Sequence, residues 1–91
     1  MRNYERILKA LANRRRLAIL RYLGREKEAK VGAIADAIHL SFKATSRHLQ
    51  HLSAVDIVER DQRGLDVWYC VGKKLPVPVK IILTHIPNSR E

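Results

Sequence analysis

Apolar residues recur along this chain in four helical stripes, followed by an alternating stretch and one ambiguous run. Tyr4, Ile7, Leu8 and Leu11 share one helix face, as do Leu17, Leu20 and Leu23 with Ile19 beside them. Val31, Ile34, Ala35 and Ile38 make a third stripe, and Phe42, Thr45, Leu49 and Leu52 a fourth after a short break. The flanking residues supply boundaries. Asn3 is an N-cap with Glu5 in the first turn, where the helix dipole favours a negative charge, Asn13 caps the second helix, and Gly24 is its expected stop. GREKEAK, residues 24–30, then reads as a charged connection. Residues 57–63 and 65–71 alternate like strands around Gly64, with Leu65, Val67, Tyr69 and Val71 on one face and Asp66, Trp68 and Cys70 on the other. In the final run, Pro76 and Pro78 suit a first helical turn, and Val79, Ile82, Leu83 and Ile86 follow at helical spacing before Pro87. Leu75, Val77, Val79 and Ile81 also alternate as an edge strand would, but a short helix is the preferred reading.

The third and fourth stripes, with their break, form a helix-turn-helix over residues 31–54, and the hairpin of residues 57–71 that follows has the form of a wing. The expected fold is therefore mainly α with a small β-hairpin, a winged helix-turn-helix in the order α-α-α-α-β-β-α. Repeats, low-complexity tracts and Gly/Ser linkers are absent from the sequence, so residues 1–91 are read as a single domain. A chain of 91 residues buries about 60 to 65% of its unfolded surface, so a further interface would help its stability. The apolar segment 76–86 is the expected dimerisation element.

Charge narrows the partner. Lys and Arg number 18 against 9 acids, a net charge of +9, which favours polyanions or an anionic membrane face. No apolar run approaches the roughly 20 residues of a membrane span, and residues 1–9 mix charges through their apolar positions unlike a secretory signal. A cytoplasmic protein is expected, and a lone cysteine, Cys70, agrees with a reducing compartment. No nucleophile, base and orienting group can be assembled, and no Gly-rich phosphate loop is present, so an enzyme is disfavoured.

The fourth helix carries the DNA-reading chemistry. Opposite its apolar stripe lie Lys43, Ala44, Arg47, Gln50 and His51, with Ser46 on the flank, and no acid occurs between Asp36 and Asp56 to repel a phosphate. Arg suits a guanine edge and Gln suits adenine. Ser41 reads first as an N-cap, a position from which it can also touch phosphate. His48 lies at the edge of the buried stripe, with backbone contact or packing as its readings. His48 and His51 at i, i+3 are too few donors for a metal site. Arg60 and Arg63 flank the wing tip, where minor-groove or phosphate contact competes with plain solvation. The candidate DNA-binding set is thus Ser41, Lys43, Ala44, Ser46, Arg47, His48, Gln50, Arg60 and Arg63. Arg14, Arg15 and Arg16 open a helix against its dipole, so they meet either phosphate or one of Glu26, Glu28 and Asp36. Trp68 and Tyr69 read as packing residues, and Cys70, lacking an activating neighbour, as inert.

In the order and spacing of these segments the chain resembles the ArsR-like family of winged-helix transcriptional repressors. LKALANRRRLAILRYL at residues 8–23 is similar to that family's opening signature. Ser41, Ser46, Arg47, His48, Leu49 and Leu52 repeat its Ser…Ser-Arg-His-Leu-x-x-Leu run, and IVERDQRGLDVWYCV resembles its wing. The resemblance implies a homodimer that pairs through its first and last helices and binds double-stranded DNA at a palindromic operator. Two departures matter. Where many members carry a Cys-x-Cys metal pair, this chain reads KEAKVGAI, and where others place Asp and His on the last helix it has only His85, so no cofactor or metal is expected and any effector is left open. Where the family has glycine in the motif turn and after the recognition helix, His39 and Asp56 stand, and both tolerate a left-handed backbone. A winged-helix module for RNA or protein partners is the competing function.

Overall fold

The computed structural model describes residues 4–85. Asn3, Ile86 and Pro87, named above as an N-cap and as the end of the last apolar run, lie outside the described residues. The elements are α1 (Tyr4–Leu11), α2 (Arg14–Glu26), β1 (Ala29–Lys30), α3 (Val31–Ile38), α4 (Phe42–Ala54), β2 (Val58–Arg63), β3 (Asp66–Val71) and α5 (Val77–His85). The expected order holds, with a short strand added before α3.

That added strand changes the wing. Ala29 and Lys30 pair antiparallel with Tyr69 and Trp68 of β3, which also pairs along its length with β2, so the sheet order is β1-β3-β2. Two residues carry too little alternation to mark a strand, and β1 forms because β3 offers it an edge. Val58, Tyr69 and Ala29 are buried on one sheet face, while Glu59, Asp61, Arg63 and Trp68 stand on the other.

The core joins all five helices to that inner face. Ile7, Ala10 and Leu11 of α1 pack with Ile19, Leu20 and Leu23 of α2, Ile34 of α3, Leu49 and Leu52 of α4, Ile57, Val58, Tyr69 and Val79. Burial of Tyr69 bears out its reading as a packing residue. The final run is helical over residues 77–85, with the Pro76 carbonyl accepting from the amides of Val79 and Lys80; Val79 is buried, while Val77 and Ile81, its neighbours in the alternating set, are exposed.

Two boundary expectations are corrected. Gly24 does not stop α2, which continues to Glu26 and ends at Lys27, whose φ of 77° turns the chain and whose amide donates to the Leu23 carbonyl at 2.8 Å. A glycine inside a helix costs only about 0.5 to 1 kcal/mol, and the helix runs through it because Leu20 and Leu23 are buried on its inner face. Phe42 does not join the buried stripe: it is 63% exposed, while Thr45, Leu49 and Leu52 are completely covered. As the first helical residue of α4 it stands beyond the layer that Thr45 closes.

Gly72 fixes the hairpin against α4. A Cβ there would lie 2.6 Å from the Asp56 carbonyl oxygen and 3.2 Å from that of Ile57, and the Gly72 amide donates to the latter at 2.8 Å. Only a residue without a side chain permits this approach. The base of the wing is thereby held one turn away from the C-terminus of α4.

Candidate nucleic-acid interface

The two turns that orient α4 are built by residues other than glycine. His39 is left-handed (φ 57°, ψ 51°), its amide donates to the Asp36 carbonyl at 3.3 Å, and the Leu40 amide donates to Ala35 at 3.0 Å. At the far end Asp56 has φ 61°, its amide donates to Ser53 at 3.0 Å, and the Ile57 amide donates to Leu52 at 3.0 Å. Both are Schellman endings, in which the left-handed residue lets the chain reverse and satisfies the last carbonyls of the helix. His39 and Asp56 thus supply the left-handed backbone that their residue types allow.

Ser41 opens α4 as its N-cap. Its backbone is extended (φ −65°, ψ 156°), its Oγ accepts from the Ala44 amide at 3.0 Å, and its carbonyl accepts from Thr45 at 3.0 Å. With that cap closed, the first turn of α4 presents its partial positive charge outward beside Lys43. Lys43, Arg47, Gln50 and His51 are exposed, and Ala44, Ser46 and His48 are half-buried. Among the described residues Lys43, Arg47 and Gln50 make no ion pair or side-chain hydrogen bond. The structure therefore gathers the cationic and amide groups on one open helix face.

His48 is tied inward. The Arg16 Nε–H donates to His48 Nδ1 at 3.2 Å, and Arg16 Nη1 also reaches the Ala10 carbonyl at 3.5 Å, so one guanidinium bridges α1, α2 and α4. Burial holds the His48 pKa below its ordinary 6.5, with the positive charges of Arg16, His51 and Arg15 acting the same way. A neutral ring accepting at Nδ1 carries its proton on Nε2. The arginine run at residues 14–16 pairs with none of Glu26, Glu28 and Asp36 among the described residues.

On the wing, Arg60 and Arg63 part company. Arg60 lies on the same sheet face as Val58, is exposed, and has no ion pair among the described residues. Arg63 is engaged on three sides: its Nη2 and Nη1 meet Glu28 Oε1 and Oε2 at 2.7 and 3.1 Å, its Nε donates to Asp61 Oδ2 at 2.9 Å, and its guanidinium lies 5.1 Å from the centre of the Trp68 ring. The bond from Arg63 holds the Glu28 carboxyl below the usual carboxylate range and raises the Arg63 pKa in turn. Lys30 covers the same ring at 5.7 Å and meets Asp66 at 3.6 Å. The tip is a two-residue turn at Gly64 (φ 64°) and Leu65, the latter fully exposed.

Sequence reasoning did not anticipate either link. Arg16 and His48 are 32 residues apart, Arg63 and Glu28 are 35 apart, and neither spacing leaves a local pattern. Cys70 is half-buried, and burial raises its thiol pKa, which leaves it a poor nucleophile. Among the described residues no group of three or more His, Cys, Asp or Glu side chains is arranged to hold a metal ion. No helix of the described residues is long and apolar enough to cross a membrane.

A capped recognition helix in a helix-turn-helix, followed by a hairpin that bears Arg60 and Arg63, defines a winged helix-turn-helix of the DNA-binding type. Comparison with known proteins narrows this. The family described as "Bacterial regulatory protein, arsR family" matches residues 13–60. The transcriptional regulator HlyU from Vibrio vulnificus is 32% identical, with a TM-score of 0.73 over 89% of this chain and 80% of that one. The homodimeric winged helix-turn-helix DNA-binding domain of Mb0332 from Mycobacterium bovis is 33% identical, with a TM-score of 0.76 over 89% of this chain and 71% of that fragment. The transcriptional repressor PagR of Bacillus anthracis is 26% identical, with a TM-score of 0.71 over 85% of this chain and 84% of that one. No curated protein matches. The chain belongs to the arsR family of bacterial transcriptional regulators.

Proposed function

We propose that this regulator is a homodimeric repressor that binds a palindromic operator in double-stranded DNA through α4 and the wing. The observation that carries the reading is the open face of α4, where Lys43, Arg47 and Gln50 stand without partners among the described residues beside a capped helix N-terminus. Arg47 and Gln50 read base edges, while Ser41, Lys43, Ala44 and Ser46 lie against the groove walls and backbone. His48 supports α4 from behind and reaches the backbone only along its edge. Arg60 supplies the wing contact, and Arg63 fixes the direction of the wing and contacts phosphate only by giving up its carboxylate partners.

The dimer forms through α1 and the segment at residues 76–86. Tyr4 and Leu8 on α1 and Val77 and Ile81 on α5 are large apolar side chains left exposed, and a second copy covers them. Mb0332, described as homodimeric, supports this assembly. The repressor output follows the relative PagR, and a chromosomal target places the work in the cytoplasm. Control proceeds without the metal sites of other family members, because KEAKVGAI and the lone His85 lack their donors.

Selection of bound sequences from a random duplex library tests the reading. An enriched palindrome with half-site centres about 10 to 10.5 base pairs apart, or a multiple of that, is expected. Recovery of no duplex motif, or a preference for RNA, overturns it.

A further inference from the structure

Arg15, Ala18, Tyr22 and Arg25 lie on one face of α2, with Arg21 beside them, and the end of α3 at Ala37, Ile38 and His39 forms the facing wall. Together they line a trough of about 410 Å³. The small Ala18 keeps its centre open, and among the described residues no carboxylate lines it. Arg15 and Arg21 are half-buried and make no ion pair among the described residues. Arg25 stacks 5.4 Å from the centre of the Tyr22 ring and, among the described residues, pairs only with the exposed Glu26, at 3.4 Å, a pairing that counts for little in water.

Arg15 and Arg21, drawn partly out of water, and the exposed Arg25 crowd like charge along the trough, and an anion there removes that cost. The C-terminus of α3 does not. Its Ala35 and Asp36 carbonyls are already taken by the amides of the motif turn, and about half a unit of dipole charge cannot balance three cations. Phosphate fits best among anions, since each group presents several oxygens to the planar donors of arginine and linked phosphates carry charge at intervals along the trough. The trough ends close in sequence to the start of α4, since His39 in its wall lies two residues before the N-cap Ser41.

We propose that the trough between α2 and the end of α3 is a phosphate-binding surface, occupied by backbone phosphates of DNA flanking the half-site or by a free polyphosphate chain. Its first source rests on the DNA-binding function proposed above, and its second does not.

Sodium tripolyphosphate titrated into the full chain, followed by the NMR signals of backbone amides and arginine Nε–H groups, tests the surface itself. Saturable shifts are expected at Arg15, Arg21 and Arg25. The Ala18→Met variant, which fills the trough with a good helix former, and the Arg21→Gln/Arg25→Gln variant should each weaken binding about tenfold, roughly one charge-assisted hydrogen bond. Lys73→Gln/Lys74→Gln removes the same charge elsewhere and should leave binding intact. Equal weakening by both charge variants, or shifts spread over the whole surface, overturns the proposal.

The source is read from salt dependence on a selected duplex, either trimmed to its half-sites or carrying flanks. A fall of about 0.9 in slope for each lost arginine contact, on the flanked duplex alone, assigns DNA phosphates. An unchanged slope beside lost tripolyphosphate binding assigns a free polyphosphate. A wild-type chain that selects no duplex defeats the proposed function, while the tripolyphosphate result stands by itself.

Discussion

Arg63 grips Glu28 with both arms of its guanidinium, at 2.7 and 3.1 Å, and so ties the tip of the wing to the segment that enters β1. A cation held by two carboxylates and an aromatic ring offers little net charge to a phosphate. Arg60, which has no such partners among the described residues, remains the open cation of the hairpin. Arg60→Ala is therefore expected to weaken binding to all duplexes alike and to lower the slope of log affinity against log salt by about one unit. Arg63→Ala should lower that slope by less. Isotherms on cognate and scrambled duplexes at several salt concentrations decide the point, and a larger slope change for Arg63 than for Arg60 would reverse the assignment.

Arg47 sits on the outer face of α4, away from Thr45, Leu49 and Leu52, where a guanidinium entering the major groove meets base edges. Arg47→Ala should cost about 1 to 3 kcal/mol per half-site on the selected operator and relax the preference at one base pair. Equal losses on cognate and scrambled duplexes would show that Arg47 contacts only the backbone.

The helices and the hairpin were legible because burial imposes a period on the sequence, and the left-handed turns at His39 and Asp56 because these residues, which tolerate that backbone, stand where the resembled family has glycine. What periodicity misses is set by tertiary contact. β1 is two residues long and exists through its pairing with β3, Gly24 is overridden by the burial of its neighbours, and Phe42 falls past the end of the core although its spacing places it on the apolar stripe. In the candidate interface, the open face of α4 could be read from the absence of acids. The ties of Arg63 to Glu28 and of His48 to Arg16 could not, since each joins residues more than thirty positions apart.

The burial of His48, with the positive charge of Arg16 beside it, makes stability depend on pH. The folded state depresses the His48 pKa, so below 6.5 the unfolded chain binds a proton that the folded chain resists. Stability should thus be fully present above pH 6.5, fall as the pH drops, and stop falling through this residue once the pH is below the folded pKa. Protonation also removes the acceptor that Arg16 uses. Urea unfolding of the wild type and of His48→Gln, compared between pH 7.5 and pH 5, measures the effect, and the variant should lose less stability on acidification. Identical pH profiles would show that the ring does not resist its proton.

Thr45 is the one buried polar residue in the core of α4, completely covered, and its Oγ1 has no hydrogen-bond partner among the described residues. A hydroxyl taken out of water without a partner costs about 1 to 3 kcal/mol. Valine has nearly the same shape and replaces that hydroxyl with a methyl, which recovers the cost and adds buried apolar surface. Against this stands a small loss of helix propensity shared by both β-branched residues, which cancels in the exchange. Thr45→Val should therefore stabilise the protein by about 1 kcal/mol, a rise in Tm of about 4 to 8 °C for a domain of this size. Because the side chain faces the core, affinity for the operator should not change. Thermal unfolding of the two proteins at one concentration checks this, and a fall in Tm of the same size would mean that the hydroxyl bonds a group inside the fold.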